Sequence, residues 1–503
     1  MRASRSSCSM EPVLRARRAP AKAFSQSVDL RRWRGHRLLS RSHSQSCVSI
    51  LLSNRGSPTI LRVLTVAGEF DRFAAPVAFA TITFCVEDVA FELIPAPSIM
   101  DYIKQVCVTG DVSTLVNDEN LMETWAAEVA KEIWEQKPQF GAIHVQGLKD
   151  AADPDAFADK LVRSLIALPE EMKAHFDTSR AFFDSRETGL GSIYLFQSGD
   201  GIEYFDKHAH AYRPVNVGHQ SEIGTSECEG FYAKSFQTYN ALHYEGTYAQ
   251  NGHGHGNRAH NTGYLMARYR IFGKELTFIN LNLHSVPFQD VSEIVEQPEV
   301  TKAAKLRQQQ IDQLLENIES EGLKDDAIIV AGAFNAQLQE TNLLSDFAHT
   351  QRATSYAKTG EDGTIEGIEQ RDREGRKLVT VESQRFDLHT IHDWFFRLGR
   401  GQMVKKYNGE LAQVVFGGKL LEESVFFRPS RHYAIDEHSN KDVFMRNLCP
   451  AWADRVLYNH RASDLFRHDS FCASGLYYGL VADTEYVGQH KPVALHASIC
   501  LKN

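Results

Sequence analysis

The chain has 503 residues, 43% of them hydrophobic and 24% charged, a composition typical of a globular protein with a substantial core. Its net charge of −9 disfavours nucleic acid as a partner, because an acidic surface repels polyanions. The most apolar stretch begins at Ala74 and stops at Glu87 and Asp88, which is too short to cross a bilayer, so no transmembrane segment is expected.

Eight cysteines are scattered along the chain without a Cys-x-x-Cys pair. This spacing argues against a structural zinc site and favours a reducing compartment. The expected location is therefore the cytoplasm, with peripheral membrane association left open. The chain ends with a cysteine four residues from its terminus, but Lys502 and Asn503 do not suit prenylation, so a prenyl anchor is not expected.

The first 99 residues differ from the rest in charge. They carry a net charge of +7, so that residues 100–503 carry −16 of the total. The run RRWRGHRLLSRSHSQS at residues 31–46 is rich in Arg and Ser and free of acids, without a visible amphipathic helix or cleavage pattern. A disordered tail, a targeting segment and an upstream extension outside the working protein are the open interpretations. We predict a basic, disordered extension over residues 1–99 and one domain over 100–503.

From Met100 onward, segments of helical and strand periodicity alternate. Residues 117–138 predict a helix that Asp118 caps and Pro138 ends. Residues 153–168 predict a second helix with Asp153 as N-cap, and residues 305–320 a third. The strand candidates are FGAIHVQG, GSIYLFQS, LTFINLNLH, AIIVAG, DRVLYN and KPVALHASI. We therefore predict an α/β fold, a four-layer sandwich in which two mixed β-sheets lie face to face with helices outside.

One predicted strand leads directly into a candidate site. Residues 327–331 form an apolar run closed by Gly332, which is typical of a buried central strand followed by a tight turn. Polar groups just past such a strand are where open α/β sheets collect their chemistry. Asn335 fits that role, although an Asn at this position could also simply stabilise the turn.

Three motifs carry a resemblance to a known family. They are GAFN at residues 332–335, NLCPAWADRVLYN at 447–459 and GQHKPVAL at 488–495. Together they resemble the inositol polyphosphate 5-phosphatases, type I in particular, over roughly Met100 to Ile499. The resemblance implies the fold of the endonuclease/exonuclease/phosphatase superfamily, with Mg²⁺ as cofactor. It also implies removal of the 5-phosphate from soluble inositol polyphosphates, chiefly inositol 1,4,5-trisphosphate.

Four positions depart from the residues that the resemblance implies. Gly147 replaces the implied metal-binding Glu, and Asn282 replaces the implied His over the scissile phosphate. Ala333 replaces the implied Asp that primes the attacking water, and Gln489 replaces the implied Asp that precedes a second His. A hard divalent ion takes carboxylate oxygens, which Gly and Ala cannot supply. Without the adjacent Asp, His490 is expected to lack an anionic neighbour that stabilises its protonated form.

Other implied positions keep a polar side chain. The resemblance implies catalytic roles for Asn335, Asp454 and His490, and substrate contacts by Arg455, Lys491 and Gln146. Asp111 stands where an Asn near the metal is implied and would be a weak metal ligand. From the residues alone, an ion pair between Asp454 and Arg455 and a loop role for His490 are the structural alternatives.

The departures together predict a catalytically impaired pseudophosphatase. Loss of one such group typically costs on the order of 10²–10⁴ in rate. Two alternatives stay open: a working phosphatase with a rewired site, in which Asp111 and Asp454 are the nearby acids, and a non-catalytic protein-interaction scaffold. The expected partner is an inositol polyphosphate or another protein.

Overall fold

The computed structural model describes residues 102–501 with the exception of 168–171, 173–174, 198–200, 226, 238–261, 298–299, 362, 409, 411–417, 440 and 467–475. Before residue 101 it describes the backbone of four strands, β1 (Val13–Arg17), β2 (Ser44–Asn54), β3 (Ser57–Ala67) and β4 (Ala90–Ile94), with β1 antiparallel to β4 and β2 to β3. The chain divides into two compact units, Met1–Met100 and Asp101–Asn503. That residues 1–99 are a disordered extension stays a prediction.

The second unit has twenty-two strands and eight helices in its described residues. In chain order the strands are β5 (Tyr102–Asp111), β6 (Phe140–Gln146), β7 (Thr178–Asp184), β8 (Leu190–Phe196), β9 (Ile202–Asp206), β10 (Ala211–Pro214), β11 (Gly218–Ile223), β12 (Glu227–Cys228), β13 (Phe231–Ser235), β14 (Gly263–Ile271), β15 (Lys274–Asn282), β16 (Ala327–Ala333), β17 (Thr354–Thr359), β18 (Ile365–Arg371), β19 (Lys377–Glu382), β20 (Arg385–Asp387), β21 (Leu421–Glu422), β22 (Tyr433–Ile435), β23 (Asp442–Phe444), β24 (Asp454–Tyr458), β25 (Tyr477–Leu480) and β26 (Val493–Cys500). The helices are α1 (Glu119–Glu135), α2 (Pro154–Ile166), α3 (Val291–Glu296), α4 (Lys302–Ser320), α5 (Glu340–Gln351), α6 (His392–Leu398), α7 (Gly401–Tyr407) and α8 (His460–Leu465).

Two large mixed sheets dominate this unit. The first has seven strands in the order β11-β7-β8-β6-β5-β26-β25. The second has nine, in the order β10-β9-β14-β15-β16-β24-β21, with β13 beside β14 and β12 beside β13. The strands β17 to β20 form a separate four-stranded sheet, and β22 pairs with β23.

The two large sheets pack face to face through an aromatic core. Phe140 from the first sheet stacks on Phe278 from the second with ring centroids 5.1 Å apart, and Tyr194 lies 4.8 Å from Tyr269. Helices α1 and α2 cover the outer face of the first sheet, and α4 covers that of the second. Because side chains alternate along a strand, each inner strand contributes to two apolar layers. The predicted four-layer sandwich is confirmed.

The predicted helix signals are confirmed in the structure. Asp118 caps α1 by accepting a hydrogen bond from the Leu121 amide, and Asp153 caps α2 in the same way. The apolar positions of α4 at Ile311, Leu314 and Ile318 are buried against the second sheet. Each of the six strand candidates overlaps an observed strand, and their ends differ from the observed ends by at most two residues.

Two findings concern the predicted location. Among the described residues, no helix has the length and hydropathy that a bilayer span requires. Cys500 is disulfide-bonded, whereas Cys107 and Cys449 are free thiols. A disulfide does not fit the reducing compartment that the cysteine spacing predicted. The cytoplasmic location therefore stays a prediction.

Candidate active site

The candidate residues meet at one edge of the two sheets because of strand direction and register. In the first sheet, β5 and β6 run parallel and place Asp111 opposite Gln146 at their carboxyl ends. In the second sheet, β15 and β16 run parallel and place Asn282 opposite Ala333. Strand β24 is antiparallel to β16, so its first residue, Asp454, lies opposite Ala333 at the same edge.

Asp454 and His490 form a buried pair at this edge. His490 Nδ1 lies 3.0 Å from Asp454 Oδ2, which also accepts a hydrogen bond of 2.8 Å from the Ser430 hydroxyl. Ser430 in turn accepts from the backbone amides of residues 453 and 454, which fixes the carboxylate. Among the described residues, Asp454 Oδ1 is buried without a hydrogen-bond partner.

The protonated form of His490 is favoured by its surroundings. Burial lowers the pKa of His490, but the carboxylates of Asp454 and Asp111 outweigh burial and raise it above its ordinary value. The sequence-based expectation that His490 lacks an anionic neighbour is therefore wrong. Asp454 supplies from another strand the charge that Gln489, as the preceding residue, does not.

Asn335 lies in the turn after β16 and is held on both sides of its amide. Its backbone has φ of +54°, a left-handed conformation that Asn tolerates better than most residues. Its Nδ2 donates to Asn282 Oδ1 at 3.0 Å and to the Leu283 carbonyl at 2.8 Å. Its Oδ1 accepts a hydrogen bond of 2.7 Å from Arg431 Nη1. The amide thus has a fixed orientation and its oxygen faces a guanidinium group.

Arg431 is the residue of this cluster that sequence reasoning missed. It is 2% exposed, and its backbone forms bridges to Ala451 and His490, which bring it between the two sheets. Burial lowers the pKa of its guanidinium to about 10, although Asp454 and Asp111 act in the opposite direction. The sequence offered no signal for it, because RPSRHYA has neither a strand nor a helix pattern and its buried position is set by tertiary contacts.

Lys491 has a structural role. Its ammonium group is fully buried, forms an ion pair of 2.8 Å with Asp442 and donates to the carbonyls of Ala482 and Glu485 at 2.6 and 2.7 Å. An ammonium group has three donors, so these contacts use them all. The substrate contact that the resemblance implied for Lys491 stays a prediction.

Arg455 and Gln146 are likewise committed to protein partners. Arg455 is fully buried, pairs with Glu422 at 2.7 Å and donates to the Trp452 carbonyl, so it does not pair with Asp454. Gln146 Nε2 donates to Asn280 Oδ1 at 2.6 Å and to Thr109 Oγ1 at 3.0 Å, which joins the two sheets. Both side chains are fully buried, and the substrate contacts that the resemblance implied for them stay predictions.

Gly147, at the position of the implied metal ligand, has a backbone conformation and close neighbours that leave little room for a side chain. Its φ is +86°, a conformation that favours glycine. A Cβ atom there would lie 2.8 Å from Asp111 Oδ1 and 2.9 Å from the Ser113 amide nitrogen. Asp111 Oδ1 already accepts a hydrogen bond of 2.8 Å from that amide. The carboxylate of Asp111 therefore covers the place where a longer side chain would begin.

The residues present do not fit a divalent cation. The part of the chain that the structure describes contains no group of three or more His, Cys, Asp or Glu side chains that could hold a metal ion. The oxygen of Asn335 faces the Arg431 guanidinium, and Ala333 is fully buried beside Asp454. The Glu that the resemblance implied as a ligand of Mg²⁺ is Gly147 here, and the Asn335 side-chain oxygen already accepts a hydrogen bond from Arg431.

Two mixed sheets packed face to face, with an Asn, an Asp and a His at one edge, agree with the α/β sandwich that the sequence resemblance implied. No family model matches the chain. Inositol polyphosphate-5-phosphatase A of Homo sapiens is 26% identical over 401 residues, covering 77% of this chain and 91% of that protein. A probable type I inositol 1,4,5-trisphosphate 5-phosphatase of Caenorhabditis elegans is 22% identical over 456 residues, covering 79% and 100%.

Among solved structures, the inositol polyphosphate 5-phosphatase domain of SpSynaptojanin, in complex with inositol (1,4)-bisphosphate and calcium ion, superposes with a TM-score of 0.38 and 12% identity. The match covers 79% of this chain and 84% of that domain. The similarity to the sequence relatives extends over most of both chains. The chain is thus similar over most of its length to inositol polyphosphate 5-phosphatases of type I.

Proposed function

We propose that this protein is a catalytically impaired member of its family, a pseudophosphatase. The family reaction implied by the resemblance is hydrolysis of the 5-phosphate of inositol 1,4,5-trisphosphate and related compounds. One observation carries the proposal. The positions implied for the metal, the water and the scissile phosphate bear Gly147, Ala333 and Asn282. Protein atoms crowd the place of a Cβ at Gly147, Ala333 is fully buried, and Asn282 accepts a hydrogen bond from Asn335.

The chemistry of phosphate-ester hydrolysis explains why these replacements matter. Water must lose a proton to a positioned acceptor as it attacks, and the methyl group of Ala333 offers none. Charge that develops on the phosphoryl oxygens needs fixed donors. The side-chain oxygen of Asn282 accepts from Asn335 Nδ2, which ties this amide to the protein. What the chain retains is the Asp454–His490 pair, which can hold and move a proton but lacks a partner that primes water.

A non-catalytic interaction role is the second candidate. It is favoured by the commitment of Gln146, Arg455 and Lys491 to internal contacts, because a polyphosphate ligand needs several cationic or amide donors. A working phosphatase with a rewired site would have to use Asp111 and Asp454 as its acids. Asp111 Oδ1 accepts from the Ser113 amide, and Asp454 Oδ2 pairs with Ser430 and His490, which leaves Asp454 Oδ1 as the buried acceptor that such a site would use. We propose the cytoplasm as the location for the impaired phosphatase and for the interaction role alike.

Phosphate release tests the proposal. Purified protein is incubated with inositol 1,4,5-trisphosphate and MgCl₂, beside the human relative as a positive control. We expect no release above the protein-free blank. Turnover by the wild type that is lost in the Asp454→Asn variant would contradict the proposal. Titration calorimetry with the same ligand then separates a ligand-binding pseudoenzyme, which gives a saturable heat, from an interaction scaffold, which gives none.

A further inference from the structure

Four charged side chains interact at the candidate site. The carboxylates of Asp454 and Asp111 both act on Arg431 and on His490, and they favour the charged form of each. Arg431 also donates to the Asn335 side chain at 2.7 Å and, more weakly, to its carbonyl at 3.4 Å. The guanidinium group therefore lies among oxygen atoms of the kind that a hard cation would seek.

Further charges in range of Arg431 compensate each other. Arg307 and Glu410 both act on Arg431, with opposite signs, and they form their own ion pair with distances of 2.6 and 2.7 Å. Glu340 also interacts with Arg431, but burial raises the pKa of its carboxyl to about 8, which favours the neutral form. The balance at the site is thus set by the four charges of the inner cluster. With His490 protonated, two positive groups oppose two carboxylates, and the cluster is neutral.

We propose that the Arg431 guanidinium takes the electrostatic place of the divalent cation, so that the cluster of Arg431, Asp454, Asp111, His490 and Asn335 is complete without a metal. This inference rests on the proposed function, because the resemblance implies a divalent ion at this edge of the sheets. Arginine suits this role because it remains charged when buried and its planar donors hold a fixed geometry. A buried carboxylate that loses its counter-charge is strongly destabilising, so the cluster requires a cation from one source or the other.

Removal of Arg431 should therefore create a demand for a metal ion. We compare the wild type with Arg431→Met, which keeps the side-chain length and removes the charge, and with Arg431→Lys, which keeps the charge. Thermal unfolding is followed in EDTA and in excess MgCl₂, with ionic strength matched by KCl. We expect no shift of the unfolding midpoint for the wild type and Arg431→Lys. For Arg431→Met we expect a lower midpoint in EDTA that MgCl₂ raises by about 2 °C or more.

A second variant ties the response to the charge balance. In Arg431→Met combined with Asp454→Asn, one positive and one negative charge are removed together, so the midpoint should not respond to MgCl₂. If Arg431→Met does not fold in EDTA, the inference predicts that refolding in MgCl₂ yields native protein, and failure of that recovery overturns it. A saturable MgCl₂ shift in the wild type, or its absence in folded Arg431→Met, overturns it as well.

These outcomes are separable from those of the phosphate-release assay. A wild type that binds Mg²⁺ but releases no phosphate contradicts the role of Arg431 and leaves the proposed function intact. A wild type that releases phosphate equally in EDTA contradicts the proposed function and leaves the role of Arg431 intact. Magnesium-dependent release contradicts both.

Discussion

The geometry at Gly147, where the resemblance implied a metal ligand, gives a quantitative prediction for the substitution Gly147→Ala. Its φ of +86° lies in the left-handed region, where a side chain costs about 1–2 kcal/mol. A Cβ atom would also meet Asp111 Oδ1 at 2.8 Å and the Ser113 backbone nitrogen at 2.9 Å. Since that carboxylate and that amide are hydrogen-bonded to each other, one of them must move and the bond weakens or breaks. Loss of a hydrogen bond to a charged group costs about 1.5–3 kcal/mol.

The chain supplies a matched control for the conformational part of this cost. Gly273, in the turn between β14 and β15, has φ of +82°, and no atom lies within 4 Å of the position that a Cβ would take there. Gly147→Ala and Gly273→Ala share the left-handed penalty and the entropy that alanine removes from the unfolded chain, about 0.4–1 kcal/mol. Their difference isolates the contact with Asp111 and Ser113, and we expect it to be about 1.5–3 kcal/mol.

Urea unfolding of the two variants and the wild type measures this difference. The midpoints should fall in the order wild type, Gly273→Ala, Gly147→Ala, with unchanged slopes that report an unchanged unfolded state. Equal destabilisation by the two substitutions would refute the reasoning, because it would mean that the Asp111 carboxylate does not occupy the space next to Gly147. The Asp111→Ala background provides a further check, since it should reduce the extra cost of Gly147→Ala.

Two further predictions concern the buried charged pairs. The pKa of His490 in the folded protein is raised above its ordinary value of 6.5. Its pairing with Asp454 therefore stabilises the fold fully below about pH 6.5, and this contribution is lost as pH rises through the raised pKa. Asp454→Asn should flatten this part of the curve of unfolding free energy against pH, and an unchanged curve would contradict the pairing. Arg455→Met should destabilise the protein by about 3–5 kcal/mol, because Glu422 is left buried without its ion-pair partner. The double variant Arg455→Met with Glu422→Leu should recover most of that loss in the same urea assay. A loss below about 1 kcal/mol in Arg455→Met would indicate that the pair is not buried as described.

The architecture followed from local patterns, whereas the site did not. The N-caps at Asp118 and Asp153 and the apolar run of β16 lie in continuous segments whose periodicity and cap residues determine their conformation. The direction of a side chain at the end of a strand depends instead on what another strand places next to it. Arg455 adjoins Asp454 in the sequence, yet its guanidinium pairs with Glu422, because successive residues of β24 point to opposite faces of the sheet.

The same limit explains why Arg431 was missed and His490 was misjudged. The neighbour that matters for His490 is Asp454, which is 36 residues away in the chain and adjacent only through the two sheets. Arg431 lies in a segment without regular periodicity and becomes buried because its backbone bridges two loops. Substituted positions could be found by comparing motifs residue by residue, but the groups that compensate for them are visible only in three dimensions.

The substituted positions depend on one another, and this bears on how the family residues could be restored. Ala333 lies opposite Asp454 in the register of β16 and β24. An Asp at 333 would therefore place a second carboxylate directly beside the first. Like charges placed opposite each other destabilise a sheet. An imidazole at 282 would replace the oxygen that accepts from Asn335. A Glu at 147 would have to displace Asp111. Each restored group therefore conflicts with a neighbour that fits the present residue. The impairment that we propose would accordingly lie in the rearranged cluster and not in any single substitution.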